Sequence, residues 1–160
     1  MAFTVTYLER PQSLGPNKMT RFTYTALASD VTGTVTPPTF ADRVDQVIID
    51  GGMGKTAADS FSGTTATLTI QCSLNVNYTI TCTSASATVG SIYAAANGQL
   101  FATQATIASA TTLVSTSQPT ANALAASGTL TKISGTGDST ITYSAVTVPT
   151  VYGAGVAYGI

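Results

Sequence analysis

Apolar and polar residues alternate with a period of two along most of the chain. At the start, Phe3, Val5 and Tyr7 alternate with threonines. Such alternation is typical of strands with one buried face, because successive side chains of a strand point to opposite sides. Predicted strands cover residues 3–8, 20–28, 31–35, 46–49, 64–73, 76–84, 91–96, 99–105, 128–133 and 139–148.

Turn signals separate the predicted strands. Asn97-Gly98 is the strongest of them, because this dipeptide favours the two-residue turn of a hairpin. Residues 134–138 are predicted to close a second hairpin, and residues 10–17, with two prolines and a glycine, to form a loop. One helical turn is predicted for residues 41–45 and another for residues 121–126.

Many short strands with frequent turns predict an all-β chain. The expected architecture is an antiparallel sandwich or barrel of about eight to ten short strands, with at most one or two helical turns. A length of 160 residues predicts a single domain, 1–160. Its N-terminal strand and loop, residues 1–18, and its C-terminal segment, residues 149–160, are candidate docking segments. The C-terminal segment is glycine-rich and uncharged, so we expect it to pack on its own sheet or to be donated to a neighbour.

Charged side chains make up only 8% of the residues, against about 25% in an average domain. Eleven of the thirteen lie between Glu9 and Asp59, and none lies between Ser60 and Thr131. Soluble monomers normally keep a mixed, charged surface, so this stretch predicts self-association. A net charge of -1 argues against a nucleic-acid partner, which would need a basic patch.

Neither a membrane span nor an export signal is predicted. No apolar run approaches the roughly 20 residues that a membrane-spanning helix needs. Residues 1–7 alternate in polarity and lack the continuous apolar core of a signal peptide, so we expect synthesis in a cytoplasm. In that reducing compartment Cys72 and Cys82 are interpreted as free, partly buried thiols.

The segment Asp50-Gly51-Gly52-Met53-Gly54-Lys55-Thr56 resembles a phosphate-binding P-loop. Ile49, however, stands where the first glycine belongs, and Asp50 stands where a variant of the motif has lysine. No long helix is predicted after Thr56, although a P-loop needs a helix N-terminus to bind phosphate. We therefore predict a glycine turn between strands, with no nucleotide affinity and no cofactor.

No catalytic or metal site is predicted, and the chain is not expected to be an enzyme. The sequence has no histidine, the commonest general base and metal ligand. Cys72 and Cys82 alone cannot complete a zinc site. Asp42 and Asp45 lie on either side of Arg43, which indicates a solvated turn.

Threonine repeats and aromatic residues raise two further alternatives. Thr-x-Thr repeats resemble those of ice-binding β-solenoids, in which flat ranks of threonine order water. Here the repeats are irregularly spaced, so we do not expect them to form one flat rank. A carbohydrate-binding module would need exposed aromatic side chains, but the chain has no tryptophan.

In size, low charge and richness in Thr, Ala, Ser and Gly, the chain resembles small virion proteins of tailed bacteriophages, in particular capsid decoration (cement) proteins. Residues 5–18, one strand followed by a Pro/Gly loop, resemble the start of such proteins, and residues 42–50 resemble a later strand.

The resemblance implies a virion structural protein that is made in the host cytoplasm and binds the outer surface of the phage head, often as a trimer. There it would clamp neighbouring subunits of the major capsid protein. Arg10, Lys18 and Arg21 are the candidate coat-docking residues, because cations would meet an acidic coat surface. Another phage component, a tail-tube or fibre protein, is the alternative.

Overall fold

In a computed structural model of the chain, the described residues are 3–8, 12–28, 30, 32–50, 53–55, 57–71, 76–82, 85–105, 107, 110–117 and 124–160. They form fifteen strands and no helix, so the all-β prediction is confirmed. In chain order the strands are β1 Thr4–Tyr7, β2 Gln12–Leu14, β3 Asn17–Leu27, β4 Thr32–Val35, β5 Val44–Ile49, β6 Gly54–Lys55, β7 Ser60–Ser62, β8 Thr65–Gln71, β9 Asn77–Cys82, β10 Ile92–Ala94, β11 Leu100–Thr103, β12 Ala110–Ser115, β13 Gly128–Ser134, β14 Thr140–Thr147 and β15 Thr150–Gly159.

The described residues fall into two compact units. The first unit combines the segments Met1–Cys72 and Thr150–Ile160, and the second is the intervening segment Ser73–Pro149. Strands β9 and β14 pair with each other, so the inserted segment begins and ends on neighbouring strands. Insertions are tolerated where the two ends of the inserted unit lie close together. Division into compact units does not decide whether the chain folds as one domain, because a domain is defined by cooperative folding. The single domain 1–160 therefore stays a prediction.

Two antiparallel sheets make up the first unit. The larger sheet has the order β1–β3–β15–β5, with β2 also paired to β3, and the smaller has the order β4–β8–β6, with β7 also paired to β8. The sheets meet where the Phe3 ring lies against Gly33 and where the Thr36 N–H donates to the Tyr7 hydroxyl at 2.8 Å. Both sheets contribute to the core, which includes Phe22, Tyr24, Ala26, Val35, Val47, Ala66, Leu68, Ile70 and Ala157.

The C-terminal strand β15 lies between β3 and β5 and pairs with both. Its register places Gly153 opposite Tyr24 and Gly155 opposite Phe22. Each ring lies over its glycine, and a Cβ added to Gly155 would come within 2.6 Å of Phe22 Cε2. Aromatic rings opposite glycines are a known means of stabilising sheets. These glycines therefore make room for core rings, and the C-terminal segment packs on its own sheet.

The second unit is a closed antiparallel barrel of six strands, in the order β10–β11–β12–β9–β14–β13. Tyr78 and Phe101 meet edge to face inside it, with ring centroids 5.2 Å apart. A buried amide lies beside them: Gln99 Nε2 donates to the Tyr78 hydroxyl at 3.3 Å and to Ser115 Oγ at 3.0 Å. Side chains fill small barrels of this kind. Further buried apolar side chains of this unit are Ile80, Tyr93, Leu113, Leu130 and Ile141.

Both predicted hairpins are confirmed. Strands β10 and β11 pair around Asn97-Gly98, where Gly98 adopts a positive φ of 78°, and β13 pairs with β14. The loop predicted for residues 10–17 is wrong in part, because β2 pairs with the start of β3. The number of strands exceeds the expected eight to ten for two reasons. Strands β2, β6 and β7 have only two or three residues and are too short to show an alternating pattern, and the longer strands β12 and β15 were not predicted.

The helical turn predicted for residues 41–45 is wrong, because β5 already begins at Val44. The backbone N–H groups of Ala41, Asp42 and Arg43 donate instead to the Ile160 carbonyl oxygen, at 3.1, 2.8 and 3.2 Å. A contact distant in sequence thus replaces the local hydrogen bonds of a helical turn. Of the second predicted turn, residues 121–123 lie outside the described part, and residues 124–126 are not helical.

Candidate functional site

One side of the larger sheet faces away from the core of the first unit. Strand pairing aligns Leu8, Arg21, Val156 and Ile48 in a row across β1, β3, β15 and β5. Leu8 is 56% exposed, Ile48 48% and Tyr152 70%. Contiguous exposed apolar side chains, unlike scattered ones, mark interaction sites. We call this side the outer face, and it consists of Leu8, Met19, Arg21, Thr23, Ile48, Tyr152, Ala154, Val156 and Tyr158.

A shallow cleft of about 230 Å³ opens on the outer face. Its lining is Leu8, Arg21, Phe22, Ile48, Asp50, Ala154, Gly155 and Val156. The two charges in this lining are the Arg21 guanidinium and the Asp50 carboxylate, and Asp50 Oδ1 accepts a hydrogen bond from the Ala154 N–H at 3.3 Å. The cleft therefore offers apolar contact together with one positive and one negative group.

The structure separates two of the three candidate coat-docking residues, Lys18 and Arg21. Lys18 and Arg21 are three residues apart on β3, so their side chains leave opposite sides of the sheet. Arg21 belongs to the outer face, whereas Lys18 Nζ donates to the Thr39 carbonyl oxygen at 2.7 Å. Arg10 lies outside the described residues. Of the two described candidates, Arg21 lies on the outer face and Lys18 does not.

The outer face also includes part of the C-terminal candidate docking segment, residues 149–160. Its backbone pairs on both sides, but the side chains of Tyr152, Ala154, Val156 and Tyr158 point outward. The sequence pattern indicated the segment as a whole but not these four side chains. The sequence does contain a signal for them, because Gly153, Gly155 and Gly159 all occupy odd positions. Glycines that make room for core rings face the core, so the side chains at the even positions of the same strand face outward.

The segment that resembles a P-loop forms no phosphate cradle in its described part. Lys55 lies in β6, and its Nζ donates to the Val47 carbonyl oxygen and to Asp59 Oδ2, the latter at 2.8 Å. Among the described residues that follow, β7 takes the place of a helix. Asp59 Oδ1 is buried and has no hydrogen-bond partner in the described part of the chain. Lys55 is thus held by groups of its own unit, while Gly51, Gly52 and Thr56 lie outside the described residues.

Strand β8, which ends one residue before Cys72, does not pair with β9, which contains Cys82. If the strands around residue 77 had formed a hairpin, the two thiols would have opposed each other. Instead β8 pairs with β4, β6 and β7 of the first unit, and β9 pairs with β12 and β14 of the barrel. Cys82 is free and buried, whereas Cys72 lies outside the described residues.

We expect the Cys82 thiol to resist alkylation by iodoacetamide in the native protein. Burial raises the pKa of this thiol, so less of the reactive thiolate is present at about pH 8 than in an exposed cysteine. Mass spectrometry of the peptide that contains Cys82 measures the modification, with denatured protein as the fully reactive control. Equal rates in native and denatured protein would contradict the buried position.

Two of the irregularly spaced threonine repeats, those that begin at Thr32 and Thr65, lie side by side on the smaller sheet. The register of the smaller sheet places Thr32 opposite Thr69 and Thr34 opposite Thr67, and Thr36 Oγ1 lies 3.0 Å from Thr65 Oγ1. Strand β7 adds two serines to the same side. We call this side the hydroxyl face, and it consists of Thr32, Thr34, Thr36, Ser60, Ser62, Thr65, Thr67 and Thr69.

The described residues contain neither a candidate metal site nor a helix that could span a membrane. No group of three or more His, Cys, Asp or Glu side chains there is placed to hold a metal ion. No helix in that part of the chain is long and apolar enough to cross a membrane.

Comparison of the chain with known proteins gave no match to a family model, to a curated protein or to a solved structure.

Proposed function

We propose that this chain is a virion structural protein, a decoration protein that binds the outside of a phage head through its outer face. The observation that carries the proposal is the row of Leu8, Arg21, Val156 and Ile48, in which Leu8 and Ile48 are about half exposed, together with the exposed Tyr152 on the same side of β15. Tyr, Met and Arg are enriched in protein interfaces, and Tyr and Arg are common binding hot spots. The outer face thus contains several residue types that are common in protein interfaces, and this supports the proposal.

The partner surface that fits the outer face is apolar and carries a carboxylate. Leu8 and Ile48 would lose their exposed apolar area to the coat protein, while a coat carboxylate would pair with Arg21. Arg–carboxylate pairs can form two parallel hydrogen bonds, which adds orientation to affinity. Because a phage head repeats the same site many times, even modest contacts give strong overall attachment if neighbouring copies are also linked.

A charge reversal at Arg21 tests the proposed docking. We expect Arg21→Glu to weaken binding to empty coat shells of the same phage at least tenfold, because a second carboxylate would face the coat carboxylate. Co-sedimentation with shells over a range of protein concentrations measures the affinity. Tyr152→Ala should act in the same direction, since it removes the most exposed aromatic side chain of the face.

Thr81→Lys is the matched control, because Thr81 is an exposed residue on a barrel strand and not on the outer face. It should bind shells as the wild type does, and circular dichroism should show that all variants are folded. A wild-type chain that does not bind shells, or an Arg21→Glu chain that binds as well as the wild type, would contradict the proposal.

A further inference from the structure

The hydroxyl face is a regular array with three columns. Thr32, Thr34 and Thr36 form the first column, Thr69, Thr67 and Thr65 the second, and Ser60 and Ser62 begin a third beside Thr67 and Thr65. Neighbouring side chains lie about 4.8 Å apart across strands and about 6.7 Å apart along a strand, where alternate residues share a side. Thr67 lies at the centre, with Thr34 on one side and Ser60 on the other.

A packed core supports this array from behind. In β4 and β8 the side chains that alternate with it, on the opposite side of the sheet, are buried: Val35, Ala66 and Leu68. Phe61, which alternates with the two serines of β7, is 43% exposed. Threonine also has a stiff χ1, so its methyl and hydroxyl groups are held in nearly fixed positions. Ordering such side chains at an interface costs little conformational entropy, in contrast to long, flexible ones.

No charged residue occurs in β4, β7 or β8, and this limits what can bind there. A charged partner would lose its hydration without meeting an opposite charge. A glycan would find no aromatic ring among the residues of the hydroxyl face, since Phe61 of β7 alternates with the serines and points to the other side. An uncharged surface rich in hydroxyl groups remains the matching partner, because each hydroxyl both donates and accepts a hydrogen bond.

We propose that the hydroxyl face packs against the same face of a second copy of this chain. Two such faces match in charge and in hydrogen-bonding groups, and their methyl groups bury apolar area. Sheets that pack face to face lie about 10 Å apart with strands roughly 30° from parallel. This interface is separate from the outer face and does not depend on the proposed docking to a phage head. Its twofold symmetry gives dimers, in place of the trimer that the resemblance implies.

Lysine substitutions on the two units test this pairing by sedimentation velocity. We expect the wild type to dimerise and Thr67→Lys to raise the dissociation constant at least tenfold, because an ammonium group would have to be buried in the interface. Thr34→Lys should have the same effect, since Thr34 is the cross-strand neighbour of Thr67. The control is again Thr81→Lys, an exposed strand threonine of the barrel, which should dimerise as the wild type does.

A mixture of two variants tests whether the face meets itself. Thr67→Lys and Thr67→Glu should each be monomeric alone and should associate when mixed, because the opposite charges then face each other across the twofold axis. Failure of the mixture to associate would overturn the like-to-like pairing. So would a wild-type chain that forms trimers, or one that stays monomeric up to about 1 mM. A monomeric wild type that slows the growth of ice crystals would assign the face to ordered water instead.

Discussion

Gly155→Val is expected to lower the free energy of unfolding of the first unit by about 3 kcal/mol. Gly155 lies in β15 at the centre of the larger sheet, opposite Phe22. A Cβ there would come within 2.6 Å of Phe22 Cε2 and 2.8 Å of the Ile48 carbonyl oxygen. The ring can move only into a packed core, and the carbonyl belongs to the neighbouring strand, so neither contact relaxes easily. Urea denaturation monitored by circular dichroism measures the loss.

Ala154→Val is the control for that substitution. Residue 154 is the preceding position on the same strand, but its side chain points to the exposed outer face. The two substitutions introduce the same side chain, so they differ mainly in which side of the sheet receives it. We expect Ala154→Val to change stability by no more than about 0.5 kcal/mol. Equal losses for both variants would show that β propensity, and not the glycine–aromatic contact, determines the effect.

Gly137→Ala is expected to destabilise the barrel by about 3 kcal/mol. Gly137 has a φ of 137°, which L-residues with a side chain rarely adopt. A Cβ there would also lie 2.5 Å from Ala87 Cα and would collide with the Ser86 carbonyl oxygen. That oxygen accepts the Asp138 N–H at 2.6 Å, and the Ser86 N–H donates to Asp138 Oδ2 at 2.8 Å. The clash would therefore separate the β13–β14 turn from the segment that it binds.

Gly90→Ala separates backbone strain from steric clash in this comparison. Gly90 also has a positive φ, 83°, but a Cβ there would meet no atom within 4 Å. Only the conformational cost remains, so we expect a loss of about 1 kcal/mol. Denaturant titration of both variants gives the difference. If Gly90→Ala cost as much as Gly137→Ala, the contact with Ser86 and Ala87 would contribute nothing to stability.

The sequence by itself determined the fold class and the local hairpins of this protein. Period-two alternation shows which side of each strand is apolar, and this signal is present in the chain before any tertiary contact forms. Asn97-Gly98 likewise indicates the β10–β11 hairpin, although the loop has three residues, 96–98, and not two, since the Ala95 N–H donates to the Gln99 carbonyl oxygen at 2.9 Å. For the candidate site, the sequence singled out Arg21 and the C-terminal segment, but it grouped Arg21 with Lys18, which leaves the opposite side of the sheet.

Only the tertiary structure decided which distant strands pair. Strands β8 and β9 are consecutive and carry matching patterns, yet they belong to different units, and β15 joins strands more than a hundred residues earlier in the chain. Alternation shows which side of a strand is apolar, but it does not show which strands are its neighbours or in which register they pair. Both depend on how the apolar sides of many strands pack together into one core. Register alone brought irregularly spaced threonines into one hydroxyl face and aligned Leu8, Arg21, Val156 and Ile48 across four strands. Both proposed binding surfaces are therefore products of non-local pairing.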